Sequence, residues 1–178
     1  MFTNSDKLQD ALHRRFANCR VLVVGDLMLD RHVHGEVNRI SPEGPVPVVR
    51  VTATLTAPGG AGNVAMNLAR LGVQTAVAGV VGDDAAAGAL RAQLHAAGVD
   101  TAAVITLPAR PTCTKTRVIS GHQQLLRLDE ETAEPLAVAP AALLAEIDAL
   151  FTKLSLSSNA TPGMYWPRLR ISRCSSVM

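Results

Sequence analysis

Val21-Leu22-Val23-Val24-Gly25-Asp26 is the stretch on which the fold turns. Its aliphatic, largely β-branched run shows no polar alternation, as expected of a central parallel strand buried on both faces, and the glycine and acid behind it mark the strand's end. A strand of this kind opens an α/β sheet. Upstream, Leu8, Leu12 and Phe16 recur on one face between Ser5 and Asn18, which predicts a short packing helix starting at a Ser5 cap. Downstream, Asn63 to Leu71 carries Val64, Leu68 and Leu71 at helical spacing and stops at Gly72. Gln74 to Val81 then reads as a strand, Ala85 to Ala97 as an Ala-rich helix closed by Gly98, and Ala102 to Thr106 as a further strand. Pro140 to Leu150 is a last amphipathic helix, with Leu143, Leu144, Ile147 and Leu150 on its apolar side.

Two segments interrupt this alternation. Residues 32–56 consist of short alternating stretches broken by Ser41-Pro42-Glu43-Gly44-Pro45, which predicts strands outside the main sheet. Thr112 to Ile119 and Gln124 to Leu128 flank Ser120-Gly121-His122-Gln123 and read as a hairpin. Together they make a small β lid, with strands in residues 32–56 and 112–128. The expected fold is α/β, a mostly parallel sheet with flanking helices plus this lid. Residues 1–150 form its domain; residues 151–178 lose all periodicity, carry Tyr165, Trp166 and scattered arginines, and read as an irregular tail. Asn159-Ala160-Thr161 matches a glycosylation sequon by chance.

Composition narrows the function. A chain of 178 residues with 48% hydrophobic and 18% charged side chains is that of a globular protein with a core. A formal charge of +2 offers no basic surplus for a row of phosphates, and 3% aromatic residues leave little for bases to stack on, so nucleic acid is not an expected partner. No apolar run reaches bilayer length, and the polar, acid-bearing segment Met1 to Asp10 is unlike a signal peptide. No membrane partner is expected, and the cytoplasm is the expected location. Cys19, Cys113 and Cys174 match neither a disulfide framework nor a metal-ligand spacing and read as buried, reduced thiols. His32 and His34 share a strand face, but with no third His or Cys nearby no metal site is expected.

The residues with chemical potential lie at strand ends and in the lid. Asp30 follows the first strand, where open α/β sheets place ligand-contacting groups; an acid there also serves as a helix cap or turn former. Gly59-Gly60-Ala61-Gly62-Asn63 opens a helix, and its small residues let a ligand approach free N–H groups at the positive end of the helix dipole; a tight turn alone would also explain it. Asp83 precedes a helix as a cap. Asp30, Asn63 and Gln123 can provide hydrogen-bond partners for the hydroxyls of a ligand. Lys115, Arg117 and Arg127 can provide cations for an anionic group on it. Lys115 and Arg117 also fit a solvated strand face of period two, and Arg127 and Asp129 also fit an ion pair with each other.

Val21 to Asp30 and Pro58 to Leu71 closely resemble the opening of sugar kinases of the ribokinase (phosphofructokinase-B) family. The resemblance implies that Asp30 binds sugar hydroxyls, that Gly59, Gly60 and Asn63 line the same pocket, and that the β lid closes over the sugar. It sharpens in Arg39-Ile40-Ser41-Pro42-Glu43-Gly44-Pro45-Val46-Pro47-Val48-Val49, in Thr112-Cys113-Thr114-Lys115-Thr116-Arg117-Val118-Ile119 and in Gln123-Gln124-Leu125-Leu126-Arg127-Leu128-Asp129. These stretches are similar to the heptose 7-phosphate kinase branch of the family. The resemblance implies transfer of the γ-phosphoryl group of ATP, with Mg²⁺, to the anomeric hydroxyl of D-glycero-D-manno-heptose 7-phosphate. The resemblance also implies that the product feeds ADP-heptose and lipopolysaccharide core synthesis, and that copies of the protein can pair through their lids.

The resemblance runs from Val21 to Leu150. The family's catalytic Asp lies in a later Gly-Ala-Gly-Asp segment that this sequence does not contain, so no catalytic residue is assigned here and most of the nucleotide site is expected to be missing. Loss of a positioned base typically costs about 10²- to 10⁴-fold in rate. The expectation is therefore the sugar-binding half of such a kinase, ending early through a frameshift or stop, with exposed sheet edges that favour aggregation. Two alternatives stay open: a kinase for another sugar, such as fructose or ribose, and an inactive module that binds sugar phosphate or dimerises through its lid.

Overall fold

The structure, a computed structural model, describes residues 16–133 and the isolated positions 145 and 149. Of the helix expected from Pro140 to Leu150 only Ala145 and Ala149 are described, both helical, and the tail from 151 lies outside the described residues. So does the helix expected from Ser5, except for its end at Phe16 and Ala17.

Arg20–Val24 forms β1, Gln74–Val81 β4 and Asp100–Thr106 β5, and they pair in parallel in the order β1-β4-β5. Among the described strands β4 is therefore central and β1 lies at an edge. The Val21 to Val24 run is half-buried, while nearly every residue of β4 is buried. Successive side chains of a strand face opposite ways, so β4 feeds two layers at once. Val77 and Val81 join Val99 and Val104 against Ala65 of helix α1 (Gly60–Arg70) and Leu90 and Leu94 of helix α2 (Ala85–Ala96). Ala76 and Ala78 face the other way, with Ala103, Leu22 and Val24.

The lid is a second sheet of four strands in the order β3-β2-β6-β7, in which β2 is Leu27–Ile40, β3 Pro47–Gly59, β6 Cys113–Ser120 and β7 Gln123–Glu130. β2 and β3 form an antiparallel hairpin, β6 runs parallel to β2, and β7 folds back antiparallel on β6. Its first two strands extend beyond the expected residues 32–56 at both ends. The base of β2 is as apolar as the core: Leu27 and Leu29 are buried in the main hydrophobic cluster, which fastens the lid to the α/β layer.

The cap of α2 is Asp84 and not Asp83. Its Oδ1 accepts the Ala87 N–H at 2.8 Å, and its extended backbone gives it the N-cap conformation. The same carboxylate accepts the Thr112 backbone N–H and hydroxyl, each at 2.8 Å, while the Thr112 hydroxyl accepts the Gly82 N–H at 2.9 Å. One acid thus ties the end of β4, the start of α2 and the entry to lid strand β6. Cys19 is exposed and Cys113 half-buried, against the expectation of buried thiols; Cys174 is outside the described residues.

Candidate sugar-binding site in the lid

Asp30 lies within β2, not in a loop after β1, because the chain turns into the lid directly behind Gly25-Asp26. Register sets its surroundings. Ala57, Asp30, Lys115 and Asp129 stand side by side across the four strands, and Leu55, His32, Arg117 and Arg127 form the next row. Residues directly opposite one another share a face, as do residues two apart on one strand. Asp30 and the three lid cations named from the sequence therefore converge on one face. The opposite face at the base of the lid carries Leu29 and Thr114, both buried.

Each cation on this face has an acid. Arg117 Nη1 donates to Asp30 Oδ1 at 2.5 Å, with both side chains about three-quarters covered. Arg127 grips Asp129 with two parallel bonds, Nε to Oδ1 at 2.8 Å and Nη2 to Oδ2 at 2.7 Å. Lys115 Nζ donates to Asp129 Oδ2 at 3.1 Å and to Glu131 Oε2 at 2.9 Å. The hydrogen bonds from Arg127 hold the Asp129 carboxyl below its ordinary value, and that from Lys115 does the same for Glu131. Hydrogen bonding to Glu131 in turn raises Lys115. Burial pushes the Cys113 thiol up; its Sγ faces Glu131 at 3.6 Å.

The glycine run meets this face from the side. Gly59 ends β3 opposite Met28, and a Cβ placed on it would lie 2.6 Å from Asp30 Oδ2 and 2.7 Å from Met28 Cγ. Only a residue without a side chain leaves room for that carboxylate oxygen. Gly60 follows in the left-handed region, φ +55°, and turns the chain into α1, whose Ala61 N–H is already bonded to the Asp26 carbonyl at 3.0 Å. Asn63 sits in the first turn of α1, exposed, with its Oδ1 accepting from Asn67 Nδ2 at 3.3 Å.

Gln123 does not join the group by register. It pairs with Ser120 at the hairpin end, out of phase with Lys115 and Arg117. A register shift between Val118 and Ile119 brings Gln124 opposite Ile119 instead, on the Asp30 face. That slip is a tertiary event with no sequence signal. His32 and His34 lie on the same face with ring centroids 6.5 Å apart. Among the described residues no three His, Cys, Asp or Glu side chains form a metal-binding group, and the lid carboxylates are already held by cations. These residues do not fit Mg²⁺ or an ATP–metal complex, and no step through the nucleotide follows from them.

A carboxylate packed against a buried glycine, on a lid face where three cations are paired with three acids, is the polar feature that the described residues assemble. Residues 19–165 match the pfkB family of carbohydrate kinases, and the chain belongs to that family. Among curated proteins it is similar to the bifunctional protein HldE of Pseudomonas aeruginosa (strain LESB58), 51% identical over 142 residues, which is 80% of this chain and 29% of that protein. The chain thus spans under a third of that relative's length. Among solved structures, the microbiome-derived acarbose kinase Mak1 is 27% identical with a TM-score of 0.54, over 72% of this chain and 42% of that one. A ribokinase from Cryptococcus neoformans var. grubii serotype A, in complex with ADP, is 20% identical with a TM-score of 0.51, over 82% of this chain and 47% of that one, which shows the ribokinase-like fold. No helix among the described residues is long and apolar enough to cross a membrane.

Proposed function

We propose that this chain carries the sugar-binding part of an ATP-dependent kinase that phosphorylates D-glycero-D-manno-heptose 7-phosphate at its anomeric hydroxyl, in the cytoplasm, on the route to ADP-heptose. The observation that carries this reading is the partly exposed Asp30 carboxylate, pinned through Oδ1 by Arg117 and packed through Oδ2 against Gly59. An acid held in that way accepts hydrogen bonds from vicinal hydroxyls without moving, and charge-assisted bonds of this kind are the strong ones. Asn63, exposed in the first turn of α1, supplies an amide for a further hydroxyl. Lys115, one strand over in the same row, and Arg127, two strands over in the next row, meet the phosphate at the far end of the sugar. In this arrangement Arg117 is chiefly a positioning residue for Asp30. A kinase of this family would take the phosphoryl group from ATP with Mg²⁺, for which the lid residues described above provide no site. A homodimer through the lid is part of the same proposal, supported by Leu126 and Leu128, which are exposed on edge strand β7.

Calorimetric titration of the full chain tests the reading. Heptose 7-phosphate should bind at least about tenfold more tightly than fructose 6-phosphate or ribose 5-phosphate, a difference of about 1.4 kcal/mol. Equal affinities for the three would replace the heptose by another sugar, and no binding of any of them would remove the site.

A further inference from the structure

We propose that Asp129 is a displaceable anion that occupies the phosphate subsite of the lid until a phosphorylated sugar takes its place, and that it thereby selects phosphorylated over unphosphorylated sugars. The inference rests on the reading of Lys115 and Arg127 as phosphate ligands. It starts from a charge balance: Lys115, Arg117 and Arg127 face Asp30, Asp129 and Glu131, so the ligand-free face is neutral. A phosphate dianion entering such a face meets no net attraction unless a carboxylate leaves. Among these acids, Asp129 is the one shared by two cations, through Oδ2 to both Lys115 and Arg127. Asp30 holds Arg117, and Glu131 holds Lys115.

The geometry of the Arg127 pair is that of a bound oxyanion. Two parallel N–H···O bonds at 2.8 and 2.7 Å from one guanidinium are the way arginine grips carboxylate and phosphate alike. Arg117 and Arg127 stand directly opposite each other, a like-charge pairing that is unfavourable without an anion between or beside them. Asp129 lies on edge strand β7 and is exposed, so its side chain can swing into water without disturbing the core. A sugar lacking phosphate gains nothing from that displacement and binds the face at Asp30 alone. A sugar phosphate gains Lys115 and Arg127 together.

The test titrates the full chain, its Asp129→Asn and Asp129→Ser variants, and Lys115→Met and Arg127→Ala with heptose 7-phosphate, with the unphosphorylated heptose and with inorganic phosphate alone. Thermal melts confirm that each variant is folded. Removing the carboxylate should tighten heptose 7-phosphate and inorganic phosphate by roughly three- to tenfold, leave the unphosphorylated sugar unchanged, and make phosphate binding more sensitive to salt. Weaker or unchanged phosphate binding in both Asp129 variants overturns the proposal. If Lys115→Met and Arg127→Ala still weaken the phosphorylated ligands, that failure is confined to Asp129. If they leave the preference for phosphorylated sugar untouched, the phosphate reading of the lid falls and the role of Asp129 with it.

Discussion

At position 59 a methyl group would collide with Asp30 Oδ2 and Met28 Cγ, at 2.6 and 2.7 Å. Gly59→Ala is therefore expected to cost about 1–3 kcal/mol in a melt, since overpacking of this size is accommodated by side-chain shifts. Its effect on sugar affinity should be the larger one, because the group displaced is the carboxylate proposed to bind the sugar. Asp30→Asn keeps the shape and removes the charge. It should weaken sugar binding by roughly 10- to 100-fold, the equivalent of one charge-assisted hydrogen bond, in the same titration. Asp84 makes a prediction of a different kind. Burial pushes its carboxyl up, but the hydrogen bonds from the Thr112 and Ala87 N–H groups and the Thr112 hydroxyl outweigh burial and hold it below its ordinary value. A depressed carboxyl stabilises the fold fully above the ordinary carboxylate range and loses that contribution as the pH falls through the folded value. Asp84→Ala should cost about 0.5–2 kcal/mol near neutrality, as lost helix caps do. The gap to the wild type should close in acid melts. The sequence pointed to an acid before α2 but not to the correct one, since Asp83 and Asp84 are adjacent and only the direction of the chain entering the helix decides between them.

For the elements, the decisive feature is how a lid can be built from strands that leave the core. β2 begins as core, with Leu27 and Leu29 buried, and ends exposed at Ile40. Register shifts between His34 and Gly35 and between Val37 and Arg39 break its pairing with β3, and such bulges increase local twist. Gly35 leaves no room for a side chain: an added Cβ would stand 2.5 Å from Val49 Cγ1 and 2.8 Å from the Arg50 carbonyl oxygen. Backbone cannot yield as a side-chain tip does, so Gly35→Ala should pry the hairpin apart. The expected result is faster amide exchange throughout β2 and β3 beyond Gly35, with β4 and β5 unchanged; uniform protection would contradict it. That a lid exists was readable from the turn residues Ser41 to Gly44 and Gly121. Its full length was not, because Leu27-Met28-Leu29 is as apolar as a core strand and carries no mark of belonging to a second sheet.

Over the whole molecule, protection should follow burial. β4 is flanked by β1 and β5 and buried on both faces, whereas β3 and β7 are the edges of the lid sheet. Native-state exchange should therefore be slowest in β4 and fastest at the lid edges, and equal rates would mean that lid and core open together. The order of strands and helices from Val21 to Leu128 was contained in the sequence, because hydrophobic period, glycine stops and turn residues act over a few neighbours. The sequence also offered the acid, the glycines and the lid cations as candidates. Tertiary structure alone decided which of them meet. Arg117 and Asp30 are 87 positions apart in the chain, and what joins them is the parallel register of β6 on β2. The slip near Ile119 likewise set Gln124, and not Gln123, on their face. Register is fixed by long-range pairing and by which face the core claims, and a change of one residue in it reverses every side chain that follows.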